Sequence, residues 1–93
     1  MNRLVLSAKL VERGARRYTP AGLPVIELVL QHDSEQSEDG QVRRVSLEIR
    51  ALAVGAITQA VNALALGSTV HYAGFLAHTR NGRGVLFHIT SLE

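Results

Sequence analysis

The segment Arg17-Tyr18-Thr19-Pro20-Ala21-Gly22, followed at once by the run Val25-Ile26-Glu27-Leu28-Val29-Leu30-Gln31-His32, constrains the fold more than any other stretch of the chain. Proline at the first central position pre-sets the φ that a tight turn needs, and the glycine after it supplies the positive φ that closes the turn. Extended residues therefore reverse direction here and return as a second strand. In that strand Ile26, Leu28 and Leu30 share one face and Glu27, Val29 and Gln31 the other, so the first set faces a core. The unit is a β-hairpin.

Residues 2–11 precede it as a first strand, with leucine and valine on both parities. Gly14 relaxes the backbone, and residues 16–19 continue extended into the turn. After the second strand, residues 33–41 are acidic and polar, hold nothing apolar to bury and include Gly40, a composition that predicts a mobile loop. A third strand at 42–50 points Val45, Leu47 and Ile49 inward and Arg44, Ser46, Glu48 and Arg50 outward, so its outer face reads as basic. Over 52–66 the period changes: Ile57, Val61 and Leu64 recur at helical spacing, Thr58, Gln59 and Asn62 form a polar side, and Gly67 follows as a left-handed terminator. One short helix fits there. Strand four, 68–77, puts Val70, Tyr72, Gly74 and Leu76 on one parity and Thr69, His71, Ala73 and Phe75 on the other. Asn81-Gly82 predicts a two-residue type I′ turn into strand five at 85–92.

A chain of 93 residues suits one domain, 1–93. The class is all-β. Three strands, a helix and two strands is the order of a five-stranded Greek-key OB barrel, whose helix plugs one end between strands three and four. A plain five-stranded meander with an appended helix is the structural alternative.

Formal net charge is only +2, but four of the eight acids lie within residues 33–39, and the remainder carries ten basic residues against four acidic ones. Nine of the ten bases are arginine, which stacks on flat rings and forks onto phosphate oxygens in ways an ammonium does not. The absence of cysteine removes disulfides and thiolate zinc sites together. His32, His71, His78 and His88 lack the close spacing of metal ligands, and Ser7, Ser46 and Ser68 have no elbow or neighbouring base. No metal, no cofactor and no enzyme activity is expected. No apolar run approaches the roughly 18 residues of a membrane span, and the N-terminus alternates where a signal peptide would be continuously apolar. A soluble, intracellular protein is the expectation.

Asn2-Arg3-Leu4-Val5-Leu6-Ser7, Tyr18-Thr19-Pro20-Ala21-Gly22-Leu23-Pro24, Gly74-Phe75 and Asn81-Gly82 together resemble the PriB family, the bacterial primosomal replication protein N, a relative of single-stranded DNA-binding protein (SSB). The resemblance covers nearly the whole chain. Its Arg-Tyr-Thr-Pro-Ala-Gly segment is equally similar to SSB, and the stop at Glu93 directly after strand five, without a disordered acidic-tipped tail, points to PriB. The resemblance implies a cytoplasmic OB-fold homodimer that binds single-stranded DNA and helps reload the replication machinery at stalled forks. Its implied partners are the restart helicase and a loader-recruiting primosome protein. Two departures stand out. The strand-three position that often carries an exposed aromatic in the family is Ser46 here, and a shorter last hairpin leaves Arg80 and Arg83 where relatives present several lysines.

An OB barrel binds oligonucleotides on the outer face of strands two and three, walled by its first and last hairpin loops. The residues expected there are Arg44, Ser46 and Arg50 on strand three, Arg80 and Arg83 flanking the last hairpin tip, and Arg17 and Tyr18 beside the first turn. Tyr18 either stacks a base or packs the hairpin. Phe75, on the outward parity of strand four, either stacks a base or contacts a second subunit. With so few aromatics, affinity is expected to be largely electrostatic. Two rival functions fit the same barrel: a protein-interaction adaptor with incidental DNA affinity, and a tailless SSB.

Overall fold

A computed structural model describes all of residues 1–93. Its elements in chain order are β1 (Leu4–Arg13), β2 (Arg17–Tyr18), β3 (Pro24–Glu38), β4 (Gln41–Val54), α1 (Ile57–Asn62), β5 (Thr69–His78) and β6 (Val85–Leu92). They form one sheet in the order β1-β5-β6-β4-β3-β2, and a further β1–β3 pairing closes β1, β5, β6, β4 and β3 into a barrel. β2 continues β1 beyond Gly14 and pairs Arg17 with Val25 and Tyr18 with Pro24 on β3. The expected five-stranded OB barrel with one short helix is the observed fold.

Closure requires β1 to leave one neighbour and join another. It pairs with β5 from Leu4 to Lys9 and with β3 from Lys9 to Arg13. Between Leu10↔Leu30 and Glu12↔Val29 one extra residue, Val11, is inserted, and such a bulge bends its strand and sharpens the twist. The bulge also turns Arg13 toward the helix end of the barrel, where its guanidinium donates to the Val61 carbonyl at 3.4 Å and to the Leu64 carbonyl. A cation is thereby held against carbonyls at and just beyond the C-terminal end of α1. A second irregularity lies between Ala73 and Gly74 on β5. There a Cβ on residue 74 would sit 1.7 Å from the His88 carbonyl oxygen, so only glycine allows the two backbones to approach this closely.

Tyr72, Phe87, Leu10, Ile26, Leu30 and Val61 are the largest fully buried side chains. α1 packs on β3, β4 and β6 across the barrel end, which brings Val61 into the core. Ala51 and Ala53 lie fully buried on β4 and leave room for that approach.

The acidic segment departs from its expectation. Instead of a loop over 33–41, β3 and β4 keep unbroken register from Val25↔Val54 to Glu38↔Gln41. Asp39 (φ 50°) and Gly40 (φ 76°) are both left-handed, the geometry of a two-residue type I′ turn whose twist matches the flanking strands. The polar residues need no core, because each strand satisfies the other's backbone groups from a ladder already anchored in the barrel. This ribbon projects from the body: the Cα radius of gyration is 14.1 Å, against about 12 Å for a compact chain of this length.

Three smaller expectations are corrected. The helix spans only Ile57–Asn62, because β4 runs to Val54 with Ala51 and Ala53 alternating inward, and Gly55 at φ 85° ends the strand. Thr58 is not on a polar side but 2% exposed, its hydroxyl donating to the Gly55 carbonyl at 2.7 Å. Asn81-Gly82 is not a type I′ turn. The Gly82 amide bonds the Thr79 carbonyl at 2.9 Å, which puts Arg80 and Asn81 at the turn centre, and Gly82 and Gly84 alone take positive φ. Asn81 uses its side chain instead, accepting from the Arg83 amide at 3.0 Å.

Candidate nucleic-acid interface

The first turn is fixed by its own hydrogen bonds. The Gly22 amide donates to the Thr19 carbonyl at 2.8 Å, and the Leu23 amide donates to the Thr19 hydroxyl at 3.1 Å. This holds Arg17 and Tyr18 at the rim of the outer sheet face, with Tyr18 64% exposed. At the other rim, the Thr79–Arg83 turn projects Arg80 and Arg83. Between the rims, outward residues of β3 (Glu27), β4 (Arg50, Leu52) and β6 (Leu86) make the floor of a groove of about 770 Å³. Parallel pairing of Ala51 with Phe87 and Leu52 with His88 sets β6 beside β4 and completes this floor.

Four arginines, Arg17, Arg50, Arg80 and Arg83, and one acid, Glu27, line the groove. Arg17 is ion-paired with Glu27 at 3.2 Å; the other three arginines have no carboxylate within pairing distance. A cleft in which cations outnumber anions four to one concentrates negative charge, here a polyanion. Leu52, Val54, Leu86 and the Tyr18 ring offer flat apolar surface for bases. The cleft thus combines phosphate-seeking cations with base-tolerant walls, the pairing of features by which proteins hold unpaired nucleic acid.

Five of the residues singled out from sequence therefore come together: Arg17, Tyr18, Arg50, Arg80 and Arg83. Arg44 and Ser46 do not line the groove. They share its sheet face but stand on the projecting ribbon, Arg44 opposite Glu35 and Ser46 opposite Asp33. The Gln31 side-chain amide donates to the Ser46 hydroxyl at 3.1 Å. Asp33 and Glu35 on β3 and Glu48 on β4 share this face, so the basic outer surface expected for the strand is interspersed with carboxylates. Phe75 lies outside the groove and stacks on His88, ring centroids 4.8 Å apart and planes 8° from parallel. Sequence reasoning missed Leu52, Val54 and Leu86: the first two were absorbed into the expected helix. It also placed Glu27 outward without weighing it as a counter-charge.

His32 is committed to hydrogen bonds, Nδ1 with the Ser7 carbonyl at 2.6 Å and Nε2 with the Ser34 hydroxyl at 2.8 Å. No group of three or more His, Cys, Asp or Glu side chains is placed to hold a metal ion. No helix is long and apolar enough to cross a membrane.

Residues 2–91 match the model of a family described as another single-strand binding protein family. Replication restart protein PriB of Bordetella pertussis is 49% identical over 80 residues, which cover 86% of this chain and 75% of that protein. The solved structure of PriB from Ralstonia solanacearum is 39% identical and superposes with a TM-score of 0.91, covering 100% of this chain and 96% of that one. The SSB domain of a Synechococcus protein, 22% identical with a TM-score of 0.76 over 100% of this chain and 94% of that one, shares the fold. An OB barrel with an arginine-lined outer groove, matched over nearly its whole length by these proteins, belongs to the SSB-like family of single-strand binding proteins and, within it, to the PriB replication restart proteins.

Proposed function

We propose that this chain captures single-stranded DNA in the groove between its first and last hairpins and presents it to a restart helicase, as an accessory of the replication-restart primosome in the bacterial cytoplasm. The observation that carries the reading is the convergence of Arg50, Arg80 and Arg83, none of them ion-paired, on one cleft that also holds Tyr18. The groove's one carboxylate, Glu27, is ion-paired with Arg17, and the reading is of a chain that acts by binding.

A homodimer is part of the proposal. Val5 and Val11, on the outward side of β1, are 47% and 40% exposed, apolar surface of the kind a second subunit covers. A loader-recruiting primosome protein is the expected further partner. The acidic ribbon and the lack of an aromatic at Ser46 favour a second reading, an adaptor that grips the helicase directly and touches DNA only incidentally.

Fluorescence anisotropy of labelled oligo-dT, combined with a pull-down of the restart helicase, separates the two. The accessory reading expects Arg50→Ala and Arg80→Ala to weaken DNA binding and helicase stimulation together. Helicase capture and stimulation that persist after the groove loses its arginines would establish the adaptor instead. Stimulation itself separates both from a tailless SSB.

A further inference from the structure

We propose that the ring pair Phe75–His88 forms a second subsite, taking one unpaired nucleobase at the end of the DNA track, with His88 as the positioning residue that backs the Phe75 ring. The proposal rests on the single-strand reading of the groove and adds a site outside it.

Phe75 and His88 are direct cross-strand partners on β5 and β6. Their rings stack nearly parallel, 8° apart at 4.8 Å, yet Phe75 keeps 39% exposure, so the stacking leaves it in contact with solvent. On the other side of His88, the β4–β6 register sets Leu52, a residue of the groove floor. Leu52, His88 and Phe75 thus form one row across three adjacent strands, and the floor of the groove runs without interruption into the ring pair. A strand leaving the groove past Leu52 and Leu86 meets this plate next.

The plate is also pinned. Glycine at position 74 lets the β5 backbone sit against the His88 carbonyl, where any side chain would collide. One residue after Phe75, the Asn2 side chain donates to the Leu76 carbonyl at 2.7 Å and accepts from the Leu76 amide at 3.0 Å. A ring held by fixed backbone and a parallel neighbour loses little freedom when a third flat ring stacks on it, and base stacking of this kind accepts every base. Cross-strand packing by itself would account for the pair, but it leaves unexplained an exposed aromatic residue in line with a cationic groove.

The test uses oligo-dT about twelve nucleotides long carrying one 2-aminopurine at successive positions, with a four-nucleotide oligomer, about the smallest OB-fold site size, as control. Wild type is expected to quench the probe at a position several nucleotides beyond the groove. Phe75→Leu, which keeps apolar volume but removes the ring, and His88→Ala abolish that distal quench. Both weaken the long oligomer about tenfold and leave the short one unchanged, and His88→Phe restores both signals. Distal quenching that survives Phe75→Leu and His88→Ala would overturn the subsite while leaving the groove reading intact. Light scattering that shows either variant changing the subunit number would make the pair a protein contact and overturn it equally. Failure of wild type to bind either oligomer would remove the groove reading, and the subsite with it.

Discussion

Glu27 receives the Arg17 guanidinium at 3.2 Å inside the groove, neutralising one of the four arginines that a bound strand would meet. Both partners are more than half exposed, so the pair contributes little to folding. Its consequence is for binding: Arg17 must exchange Glu27 for a phosphate, and the carboxylate then faces the strand. Glu27→Gln is expected to tighten oligo-dT binding about three- to tenfold at low salt, with no measurable change in urea midpoint. An anisotropy titration showing equal or weaker affinity would mean that Arg17 lies off the strand's path.

The same count sets the salt response. Three uncompensated arginines predict a slope of log K against log salt of about −2, at about −0.7 per phosphate neutralised on a single strand. Arg80→Ala should make the slope shallower by about 0.7 and weaken oligo-dT and oligo-dC alike, because phosphate contacts carry no sequence information. Arg44→Ala is the informative control. Six residues along β4 from Arg50 is ~20 Å of strand, and Glu35 stands opposite, so affinity should stay within twofold. A large loss at Arg44 would place the strand along the ribbon rather than between the hairpins.

The ribbon gives the prediction furthest from what the sequence suggested. As strand, amides of residues 33–38 and 42–47 that face across the ladder should exchange slowly compared with those of Thr79–Gly84, whereas a mobile loop would exchange at once. Gly40→Val places a β-branched residue at φ 76° and should abolish protection in the outer half of the ribbon. The global urea midpoint should hardly move, since this part of the chain buries no core side chain. Hydrogen exchange read by mass spectrometry checks both points.

How far the chain could be read depended on which force shaped each part. Strands with one buried face were legible, because Ile26, Leu28 and Leu30 alternate against water and only one register buries them. The first turn was legible for the same local reason, Pro20 and Gly22 dictating its backbone. The ribbon was misread because its alternation is polar on both faces, so hydrophobic periodicity is silent there. The available signal was Asp39-Gly40, a type I′ dipeptide in the middle of the acidic run. Asn81-Gly82 carries the same kind of signal, and its failure shows the limit of dipeptides: six residues separate β5 from β6, enough for Asn81 to spend its side chain on the Arg83 amide. At the candidate site, the arginines beside the turns were found because turns fix where they project. Arg44 and Ser46 were grouped with Arg50 because parity alone records the face and not the distance along it. Ala53 read as helix by composition, and with it went Leu52 and Val54, two of the apolar residues that line the groove.

The last prediction concerns the core. Tyr72 is fully buried, and its hydroxyl has no hydrogen-bond partner among the protein groups. Burial pushes the phenol above its ordinary value of 10.0, with the Arg13 guanidinium pulling weakly the other way. The folded state therefore keeps its proton at a pH where the unfolded chain has released it. Below pH 10 both states are protonated and the group contributes no pH dependence. As pH rises past 10, the unfolded state binds fewer protons than the native one and stability falls, by up to about 1.4 kcal/mol per pH unit until the folded phenol also ionises. Tyr72→Phe removes both the titration and an unsatisfied polar atom, whose burial ordinarily costs about 1–3 kcal/mol. The variant should match or exceed wild-type stability at pH 7 and lead by a widening margin between pH 10 and 11. Urea unfolding at the two ends of that range, read by tryptophan-independent far-UV dichroism since the chain has no Trp, checks it. Parallel curves for the two proteins would mean that the hydroxyl finds a partner in solution.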